Sequence, residues 1–200
     1  QKGIPAHGGG IERHVEELAG SEVLRASLER YQAVIEPHVQ PRLSTAVNAE
    51  DLFCYVATRL LKPSAVVATG CATGWSSALF LLALHHNAKG QLVSIDLPPV
   101  RGQRGMQWSL PEGLEVGFYV PPELRSRWTL VTGDARVELV PVLGRLGSVD
   151  IFHHDSDHSY VHMMWEYTSV WPALAPHGLL VSDDIGWHTA FWDFATAVGR

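Results

Sequence analysis

Residues 67–77 read VATGCATGWSS, and this stretch decides the fold of the chain. An apolar run ends here in Gly70 and Gly74, and a helical pattern begins directly afterwards, near Ser76. Glycine at such positions lets the backbone turn sharply and pass close to a ligand. The free N–H groups at the start of the following helix favour an anionic or carboxylate-bearing ligand. The spacing matches neither G-x-G-x-x-G nor G-x-x-x-x-G-K-[ST], so the dinucleotide and phosphate-loop signatures are excluded, and an ordinary tight turn stays open as the alternative.

Outward from this stretch, short apolar runs typical of strands alternate with helical segments. The predicted strands are residues 65–68, 91–95, 128–131, 149–152 and 178–181, and the predicted helices between them are residues 76–86, 135–146 and 160–174. This alternation predicts an α/β fold, a doubly wound and mostly parallel sheet covered by helices on both faces. Ligands of such sheets bind beyond the carboxyl ends of the strands, so the residues that follow each strand form the candidate site.

The first quarter of the chain follows a different pattern. Residues 1–10 are predicted to form a flexible lead, and the apolar residues within 11–35 fall at helical spacing. Ser21 is the expected N-cap of a second helix, and Asn48 is the expected cap of a third helix at residues 49–61. These N-terminal helices could cover the site or form a contact between two copies of the chain, which would make it a homo-oligomer.

The composition excludes several classes of function. The 200 residues are 46% hydrophobic and 18% charged, which fits one compact domain rather than a disordered chain. The formal net charge is −6, whereas a general binder of nucleic acid or of an anionic membrane carries a basic excess, so neither partner is expected. The longest apolar run, residues 77–84, is too short to span a membrane. With only Cys54 and Cys71, no disulfide scaffold is expected, and a reducing, cytoplasmic compartment is the default.

An acidic residue follows the second and the third predicted strand. Asp96 is placed to accept hydrogen bonds from the hydroxyls of a ribose, or is a hydrated aspartate at a strand end. Asp134 is placed to contact an adenine amino group, or to cap the next helix. The pattern alone does not decide between the ligand-binding role and the structural role of either residue.

The fourth and fifth strands are followed by unusual acidic segments, HHDSDHSY at residues 153–160 and SDDI at residues 182–185. Adjacent strands would bring Asp155 beside Asp183 and Asp184, where three carboxylates repel one another. A divalent cation such as Mg²⁺, Ca²⁺ or Mn²⁺ would relieve this repulsion, because these ions prefer oxygen ligands. The alternative is that one or two of these residues cap helices and the others are hydrated.

Two other metal sites are weighed for the first of these segments. His153, Asp157 and His158 partly match the H-x-H-x-D-H pattern of zinc hydrolases, but Asp155 stands where the second histidine is required. His153 and Asp155 also match part of a facial-triad iron site, a kind of centre that usually lies on an all-β scaffold. The alternation of strands and helices opposes the iron site.

Residues 98–127 interrupt the alternation with a long segment rich in glycine and proline. A loop of this length in a compact domain is usually functional, here as a lid, and a surface insertion with a short helix near residues 121–125 is the alternative. The segment carries four large apolar side chains that could line an acceptor pocket, namely Met106, Trp108, Phe118 and Tyr119.

Together these segments resemble the class I S-adenosylmethionine-dependent methyltransferases. Residues 67–77, Ser94-Ile95-Asp96 and Gly133-Asp134 carry the resemblance. The later segments, DSDHSY at 155–160 and GLLVSDDI at 178–185, resemble the subgroup of small-molecule and sugar O-methyltransferases, some of which are metal-dependent. The resemblance covers roughly residues 48–195.

The resemblance divides the chain in two and assigns an activity to the second part. Residues 1–47 are then a flexible lead and helical segment, and residues 48–200 an S-adenosylmethionine-binding methyltransferase domain. The implied reaction is O-methylation of a small-molecule hydroxyl, with Mg²⁺ or a similar divalent cation assisting. A methyltransferase needs little covalent chemistry from the protein, because the sulfonium is already an activated donor.

The resemblance also implies the role of individual residues. Gly70 and Gly74 would pass under the methionine moiety, with Ser76 or Ser77 near its carboxylate. Asp96 would hold the ribose, and Asp134 with Ala135 would flank the adenine. The full implied set of cofactor contacts is Thr69, Gly70, Gly74, Ser76, Ser77, Asp96, Asp134, Ala135 and Asp155. The implied metal ligands are Asp155, Asp183 and Asp184.

His158, three residues after Asp155, stands where some sugar O-methyltransferases carry the catalytic base. A histidine is suited to take a hydroxyl proton because its ordinary pKa is near 6.5. The alternatives are a histidine that only bonds the backbone at a helix start, and His188 as the base. Asp155 is expected to take part in catalysis through the metal. Nearby, Tyr160 and Trp187 are expected to line the pocket.

The chain departs from the family pattern at two places. Ala68 occupies a position that is usually acidic, and the two strands of a final hairpin are not found before Arg200. Either the natural protein continues or the chain lacks the hairpin. Two other functions therefore stay open: a degenerate, non-catalytic cofactor-binding module, and a metal-dependent hydrolase that uses His153, Asp157 and His158.

Overall fold

The computed structural model describes residues 8–35, 49–97 and 114–199. The helices are α1 (Gly8–Ala19), α2 (Glu22–Ile35), α3 (Ala49–Leu61), α4 (Trp75–His86), α5 (Ala135–Leu146), α6 (Tyr160–Val170) and α7 (Ala190–Ala197), with short 3-10 helices at Pro122–Arg127 and Trp171–Ala173. The strands are β1 (Ala65–Thr69), β2 (Gln91–Asp96), β3 (Trp128–Thr132), β4 (Val149–His154) and β5 (Leu174–Ser182). The predictions for Asn48, Met106 and Trp108 lie outside the described residues.

The five strands form one parallel sheet in the order β3-β2-β1-β4-β5. The chain winds outward from β1 to β3 and then returns to place β4 on the other side of β1, so the direction of winding reverses between β1 and β4. This reversal creates a crevice at the carboxyl ends of these two strands. The predicted doubly wound α/β sheet is therefore confirmed, and each predicted strand is found.

Helices cover both faces of the sheet, and β1 shows how the sequence achieves this. Val66 and Ala68 pack with the α3 and α4 layer, while Val67 packs with the α5 and α6 layer, and all three side chains are fully buried. Successive residues of a strand point to opposite faces, so a strand that is buried on both faces is mostly apolar. The buried stretch 77–84 of α4 is apolar on nearly every side for a similar reason, because α4 contacts the sheet at β2, the helix α3 and the 3-10 helix Pro122–Arg127.

The last strand differs from its prediction. The predicted helix 160–174 ends at Val170, and β5 begins at Leu174, four residues before the predicted start at Gly178. Pro176 and Gly178 argue against a strand when they are read from the sequence alone. Within the described residues β5 pairs only with β4, and an edge strand tolerates a proline because its outward N–H needs no partner. The ladder also shifts register between Val149 and Ile151, which absorbs the irregularity.

The N-terminal helices are attached to the sheet layer. α1 begins at Gly8, within the segment 1–10 that is predicted as a flexible lead, and the rest of that segment lies outside the described residues. Glu17 on α1 accepts hydrogen bonds from Arg59 Nε at 2.7 Å and from the Tyr55 hydroxyl at 3.0 Å, both on α3. The Oγ of Ser21 accepts a hydrogen bond from the backbone N–H of Leu24 at 3.2 Å, as expected of the N-cap of α2. None of the helices in the described ranges is long and apolar enough to cross a membrane.

Candidate functional site

The carboxyl ends of the strands meet along one edge of the sheet. Backbone hydrogen bonds continue past the strand ends, from Gly70 N to Ile95 O, from Asp155 N to Thr69 O and from Asp183 N to His154 O, each 2.9 Å long. The loops after β1, β2, β4 and β5 therefore leave the sheet side by side. The residues predicted to form the site lie along this edge, which is also where the crevice between β1 and β4 opens.

The loop after β1 depends on its glycines. Gly70 has φ of +80°, and a Cβ on it would lie 1.8 Å from the carbonyl oxygen of Asp155. Gly74 has φ of +91°, and a Cβ there would lie 2.7 Å from the Cα of Gly117. Both positions combine a left-handed backbone with a close approach to another chain segment, so no other residue fits them without displacement. The loop after β1 is thus in close contact with the loop after β4 at Asp155 and with the segment at Gly117.

Asp96 holds this loop from the neighbouring strand. Its Oδ2 accepts a hydrogen bond of 2.6 Å from the backbone N–H of Cys71 and a second, short one from that of Ala72. Burial raises the pKa of Asp96, and the two N–H donors oppose that rise by stabilising the charged form. The carboxylate predicted to hold a ribose therefore also fixes the loop predicted to cradle the cofactor.

Two of the residues predicted to contact the cofactor have side chains that are buried below the carboxyl edge of the sheet. Ser77 is fully buried, and its Oγ lies 3.1 Å from Ser94 Oγ. Thr69 is also fully buried, and its hydroxyl donates to Glu166 Oε2 at 2.7 Å. These side chains support the loop from below and leave Ser76, which is half-buried in the first turn of α4, as the serine able to reach a ligand.

The loop after β3 shows the structural role that the sequence left open. Asp134 Oδ1 accepts a hydrogen bond of 2.8 Å from the backbone N–H of Arg136 and is the N-cap of α5. Ala135, the first residue of α5, is buried in the core beneath it. The pair lies at the predicted edge, and any contact of Asp134 with an adenine would be made by a side chain already used as a cap.

His158 lies between carboxylates from two loops. Its Nε2 is 3.6 Å from Asp155 Oδ1 and 3.8 Å from Asp184 Oδ2. The contact with Asp155 raises the pKa of His158, against the opposing effect of burial. On the outer side, the ring of Trp187 lies 5.3 Å away between centroids, and its side chain is 63% exposed. The imidazole thus faces the sheet edge with an exposed indole beside it.

His188, the second candidate base, is held by the backbone. Its Nδ1 accepts a hydrogen bond of 3.2 Å from the N–H of Ala190, so the ring proton is on Nε2. That nitrogen donates to the carbonyl oxygen of His158 at 2.7 Å. Because both ring nitrogens already have a partner, His188 supports the His158 segment and is the weaker candidate for taking a proton.

The predicted metal ligands are near one another but are not arranged as a metal centre. In residues 8–35, 49–97 and 114–199, no three histidine, cysteine or acidic side chains are grouped so that they could hold a metal ion. Asp183 Oδ1 accepts the backbone N–H of Asp184 at 2.8 Å, and Asp155 and Asp184 both face His158. The oxygen donors suit Mg²⁺ in kind, but their arrangement does not fit one, so the ligand set stays a prediction.

The zinc-hydrolase set does not converge. His153 and His154 are successive residues of β4 and point to opposite faces. His153 Nε2 lies 3.3 Å from Glu50 on α3, whereas His154 Nδ1 lies 2.6 Å from Glu166 on α6. Asp157 accepts the backbone N–H of Ser159 at 2.8 Å. The described residues therefore do not bring His153, Asp157 and His158 to a common centre.

Sequence reasoning missed Glu166, which lies under the site. The residue has no exposed surface, and its two carboxylate oxygens lie within hydrogen-bond distance of four side chains: Thr69, His154, Ser156 and His162. The available signal was a single acidic residue in the apolar helix sequence YVHMMWEYTSV, four residues after His162. A charged residue is almost never fully buried unless it is paired, so its position marks a polar centre.

A shallow surface pocket lies at the opposite edge of the sheet. It is lined by residues before or at the start of β1 and β2 and by the end of the 3-10 helix, namely Ser64, Gly90, Gln91, Ser126 and Arg127. The pocket is open to solvent and contains none of the predicted site residues, so it does not compete with the carboxyl edge as a candidate site.

Comparison with known proteins defines the class of this chain. The profile of the methyltransferase domain family matches residues 67–185, more than half of the chain. The chain therefore belongs to the methyltransferase domain family, which confirms the assignment to class I S-adenosylmethionine-dependent methyltransferases made from the motifs. No curated protein sequence matches the chain significantly.

Solved structures share the fold at low sequence identity. The O-methyltransferase TomG of Streptomyces achromogenes, solved with S-adenosylmethionine, has a TM-score of 0.61 at 18% identity, over 94% of this chain and 85% of its own. The S-adenosylhomocysteine-bound methyltransferase PaMTH1 of Podospora anserina has a TM-score of 0.58 at 13% identity, over 99% and 89% of the two chains. An O-methyltransferase of Bacillus cereus has a TM-score of 0.57 at 12% identity, over 89% and 79%. At these identities the likeness establishes the fold.

Proposed function

We propose that this methyltransferase transfers the methyl group of S-adenosylmethionine to a hydroxyl of a small molecule, with His158 as the general base. The observation that carries the proposal is the position of the His158 ring. It lies at the carboxyl edge of the sheet, between Asp155 and Asp184, in the loop that touches the glycine turn at Gly70. The proposed donor site and the proposed base are thereby adjacent.

The donor is assigned to the turn between β1 and α4. The carboxylate of its methionine part would lie at the start of α4, near Ser76, where the N–H groups of the first turn favour an anion. Its ribose would bind Asp96, and its adenine would lie near Asp134 and Ala135. Support comes from the fold likeness to TomG and PaMTH1, whose structures contain S-adenosylmethionine and S-adenosylhomocysteine respectively.

Methyl transfer requires that the acceptor hydroxyl be aligned with the methyl group of the donor and that it lose its proton. The hydroxyl oxygen attacks the methyl carbon, the bond from that carbon to the sulfonium sulfur breaks, and S-adenosylhomocysteine leaves. Nε2 of His158 takes the hydroxyl proton, and the imidazolium that forms lies beside Asp155 and Asp184, which stabilise its charge. Trp187 offers an exposed ring face beside the base, against which an organic acceptor can pack.

The divalent cation is a separate part of the prediction. Since the carboxylates are not arranged as a metal centre, the mechanism given above has no step through a cation. Dialysis against EDTA followed by return of Mg²⁺ tests this part. Activity that is lost and then restored would establish the metal, and activity that persists through chelation would remove Asp155, Asp183 and Asp184 as metal ligands.

The activity is tested with a labelled donor. The purified chain is incubated with S-adenosylmethionine labelled in its methyl group and with a panel of phenols, catechols and glycosides, and labelled product is measured. We expect transfer to a hydroxylated acceptor together with formation of S-adenosylhomocysteine. Calorimetric titration with S-adenosylmethionine distinguishes an enzyme from a non-catalytic cofactor-binding module. A chain that binds the donor but transfers no methyl group to any member of the panel fits the module. The departure from the family pattern at Ala68 is the feature that supports this alternative.

A further inference from the structure

Glu166 is a buried carboxylate at the centre of a hydrogen-bond network. Its Oε2 accepts hydrogen bonds from Thr69 Oγ1 at 2.7 Å and from His154 Nδ1 at 2.6 Å. Its Oε1 accepts hydrogen bonds from Ser156 Oγ at 2.8 Å and from His162 Nε2 at 2.9 Å. Burial alone would raise the pKa of Glu166, but the histidine donors lower it to about 2, so the group is an ionised acceptor.

The direction of these bonds follows from the outermost partner. Arg136 Nε lies 3.2 Å from His162 Nδ1, and an arginine can only donate, so Nδ1 of this histidine accepts. The proton of His162 is therefore on Nε2 and points to Glu166. His154 must likewise carry its proton on Nδ1, because an ionised carboxylate can only accept. The carboxylate of Glu166 is thus the acceptor in each of its four hydrogen bonds.

The network joins the segments that build the site. Thr69 is the last residue of β1 and precedes the glycine turn, His154 is the last residue of β4, and Ser156 lies in the loop that carries His158. His162 belongs to α6, which follows that loop. One side chain therefore connects the loop of the proposed donor with the loop of the proposed base.

Glu166 is connected to His158 through His154, which is hydrogen-bonded to Glu166 and packs against the ring of His158. The rings of His154 and His158 pack edge to face with centroids 5.3 Å apart. Nε2 of His154 and Nδ1 of His158 are buried and have no hydrogen-bond partner within the described residues. No hydrogen bond in the described structure fixes the inner side of the His158 ring, so its orientation there depends on packing against His154, and His154 in turn is held by Glu166.

We propose that Glu166 is a positioning residue of the methyl-transfer site, whose carboxylate fixes His154 and Ser156 and thereby the ring of His158. This inference rests on the proposed function, in which His158 takes the hydroxyl proton. Misplacement of a reacting group by about 1 Å can lower a rate by roughly 100-fold. Loss of the support under the base is therefore expected to lower the rate even though His158 itself is still present.

The variant Glu166→Gln tests the role directly. The amide keeps the size of the side chain but replaces one acceptor oxygen with an NH₂ group that faces two donors. We expect the kcat for the best acceptor of the panel, at saturating donor and acceptor, to fall by about 10- to 100-fold. Ser156→Ala removes a single link and is expected to lower kcat by a smaller factor while the protein stays folded. The matched control is Glu17→Gln, which breaks a similar carboxylate network between α1 and α3 and is expected to leave kcat unchanged.

A double-mutant cycle with His158→Ala separates positioning from general loss of structure. If Glu166 acts through His158, Glu166→Gln lowers kcat strongly in the native background and less than about threefold in the His158→Ala background. An equal loss in both backgrounds would mean that Glu166 only stabilises the fold. A native kcat for His158→Ala would overturn the assignment of His158 as the base. That result differs from an equal loss in both backgrounds, which would overturn only the positioning role of Glu166.

A second measurement needs no acceptor. Carbethoxylation of His158 by diethyl pyrocarbonate, resolved by peptide mass spectrometry, reports how accessible the ring nitrogens are in the free protein. We expect Glu166→Gln to change the rate at His158 several-fold and to leave the rate at the exposed His177 unchanged. An unchanged rate at His158 in both Glu166→Gln and Ser156→Ala would overturn the positioning role.

Discussion

The carbonyl oxygen of Asp155 lies 1.8 Å from the point that a Cβ on Gly70 would occupy. The first and the fourth strand loops are therefore in backbone contact, and a glycine is the condition for that contact. The turn at residues 70–74, which is proposed to bind the donor (the donor turn), meets the loop that carries the proposed base His158 at this point, so a side chain here would affect both.

Replacing Gly70 tests this contact. Gly70→Ala places a methyl group against the carbonyl of Asp155 and forces a residue other than glycine to φ of +80°. Because backbone strain of this kind costs about 1–3 kcal/mol, we expect a lower free energy of unfolding in urea and a weaker donor affinity in titration. Gly186→Ala is the control, since a Cβ at Gly186 meets nothing within 4 Å. Native stability and donor affinity in Gly70→Ala would contradict the close contact.

His158→Ala tests the assigned base. Loss of general base catalysis usually lowers kcat by about 10²- to 10⁴-fold, and the donor site does not include this ring, so the Kd of S-adenosylmethionine should change little. Steady-state kinetics and calorimetry measure the two quantities. The exposed His177 on β5 provides the control His177→Ala, for which both are expected to stay native. A kcat of His158→Ala within a few-fold of native would remove the assignment.

Asp96→Ala tests the link between the second strand and the donor turn. The variant removes the acceptor for the N–H groups of Cys71 and Ala72. Hydrogen bonds to a charged group contribute about 1.5–3 kcal/mol each, and a loss of 1.4 kcal/mol weakens binding roughly tenfold. We expect the Kd of S-adenosylmethionine to rise by at least about tenfold, measured by calorimetry. An unchanged Kd would show that the turn keeps its shape without this carboxylate and would also contradict the proposed contact of Asp96 with the ribose.

Glu17 makes the attachment of α1 sensitive to acid. Burial alone would raise the pKa of Glu17, but hydrogen bonds from Arg59, His14 and Tyr55 outweigh it and lower the pKa from 4.5 to about 2. The folded state therefore holds this proton less tightly than the unfolded state, and the stabilisation is present above pH 4.5 and lost as the pH falls toward 2.

We expect this carboxylate to contribute on the order of 2 kcal/mol at neutral pH, measured by urea unfolding at pH 6 and at pH 3. Glu17→Gln should lower the stability at pH 6 and have a smaller effect at pH 3. The neighbouring exposed Glu16 gives the control Glu16→Gln, which should follow the native protein at both pH values. An equal loss for Glu17→Gln at both pH values would mean that its charge is not the stabilising factor.

Much of the fold followed from periodicity. The buried strands are mostly apolar, as β1 is from Ala65 to Ala68, and the glycine turn follows directly after Thr69, so sequence and structure agree there. The start of β5 could not be predicted, because Pro176 is acceptable only where the strand lies at an edge, and edge position is a property of the whole sheet. That the residues of the candidate site lie along one edge of the sheet could be predicted, because parallel strands place their carboxyl ends together.

The detailed roles at the site were harder to predict. Ser76 and Ser77 are adjacent on α4, and only the rotation of the helix against the sheet decides that Ser77 points inward. Glu166 is separated by 97 residues from Thr69, its partner in a hydrogen bond, so no local pattern links them.

The exposed indole of Trp187 beside His158 has a practical consequence. Trp187 stands in solvent 5.3 Å from the ring of His158, so any acceptor that docks there must displace water from it. Indole emission shifts to shorter wavelength when water leaves the ring. If the acceptor docks at Trp187 as proposed, this ring would report on docking, and the difference in emission between the native chain and Trp187→Phe would let compound libraries be screened without label and without turnover.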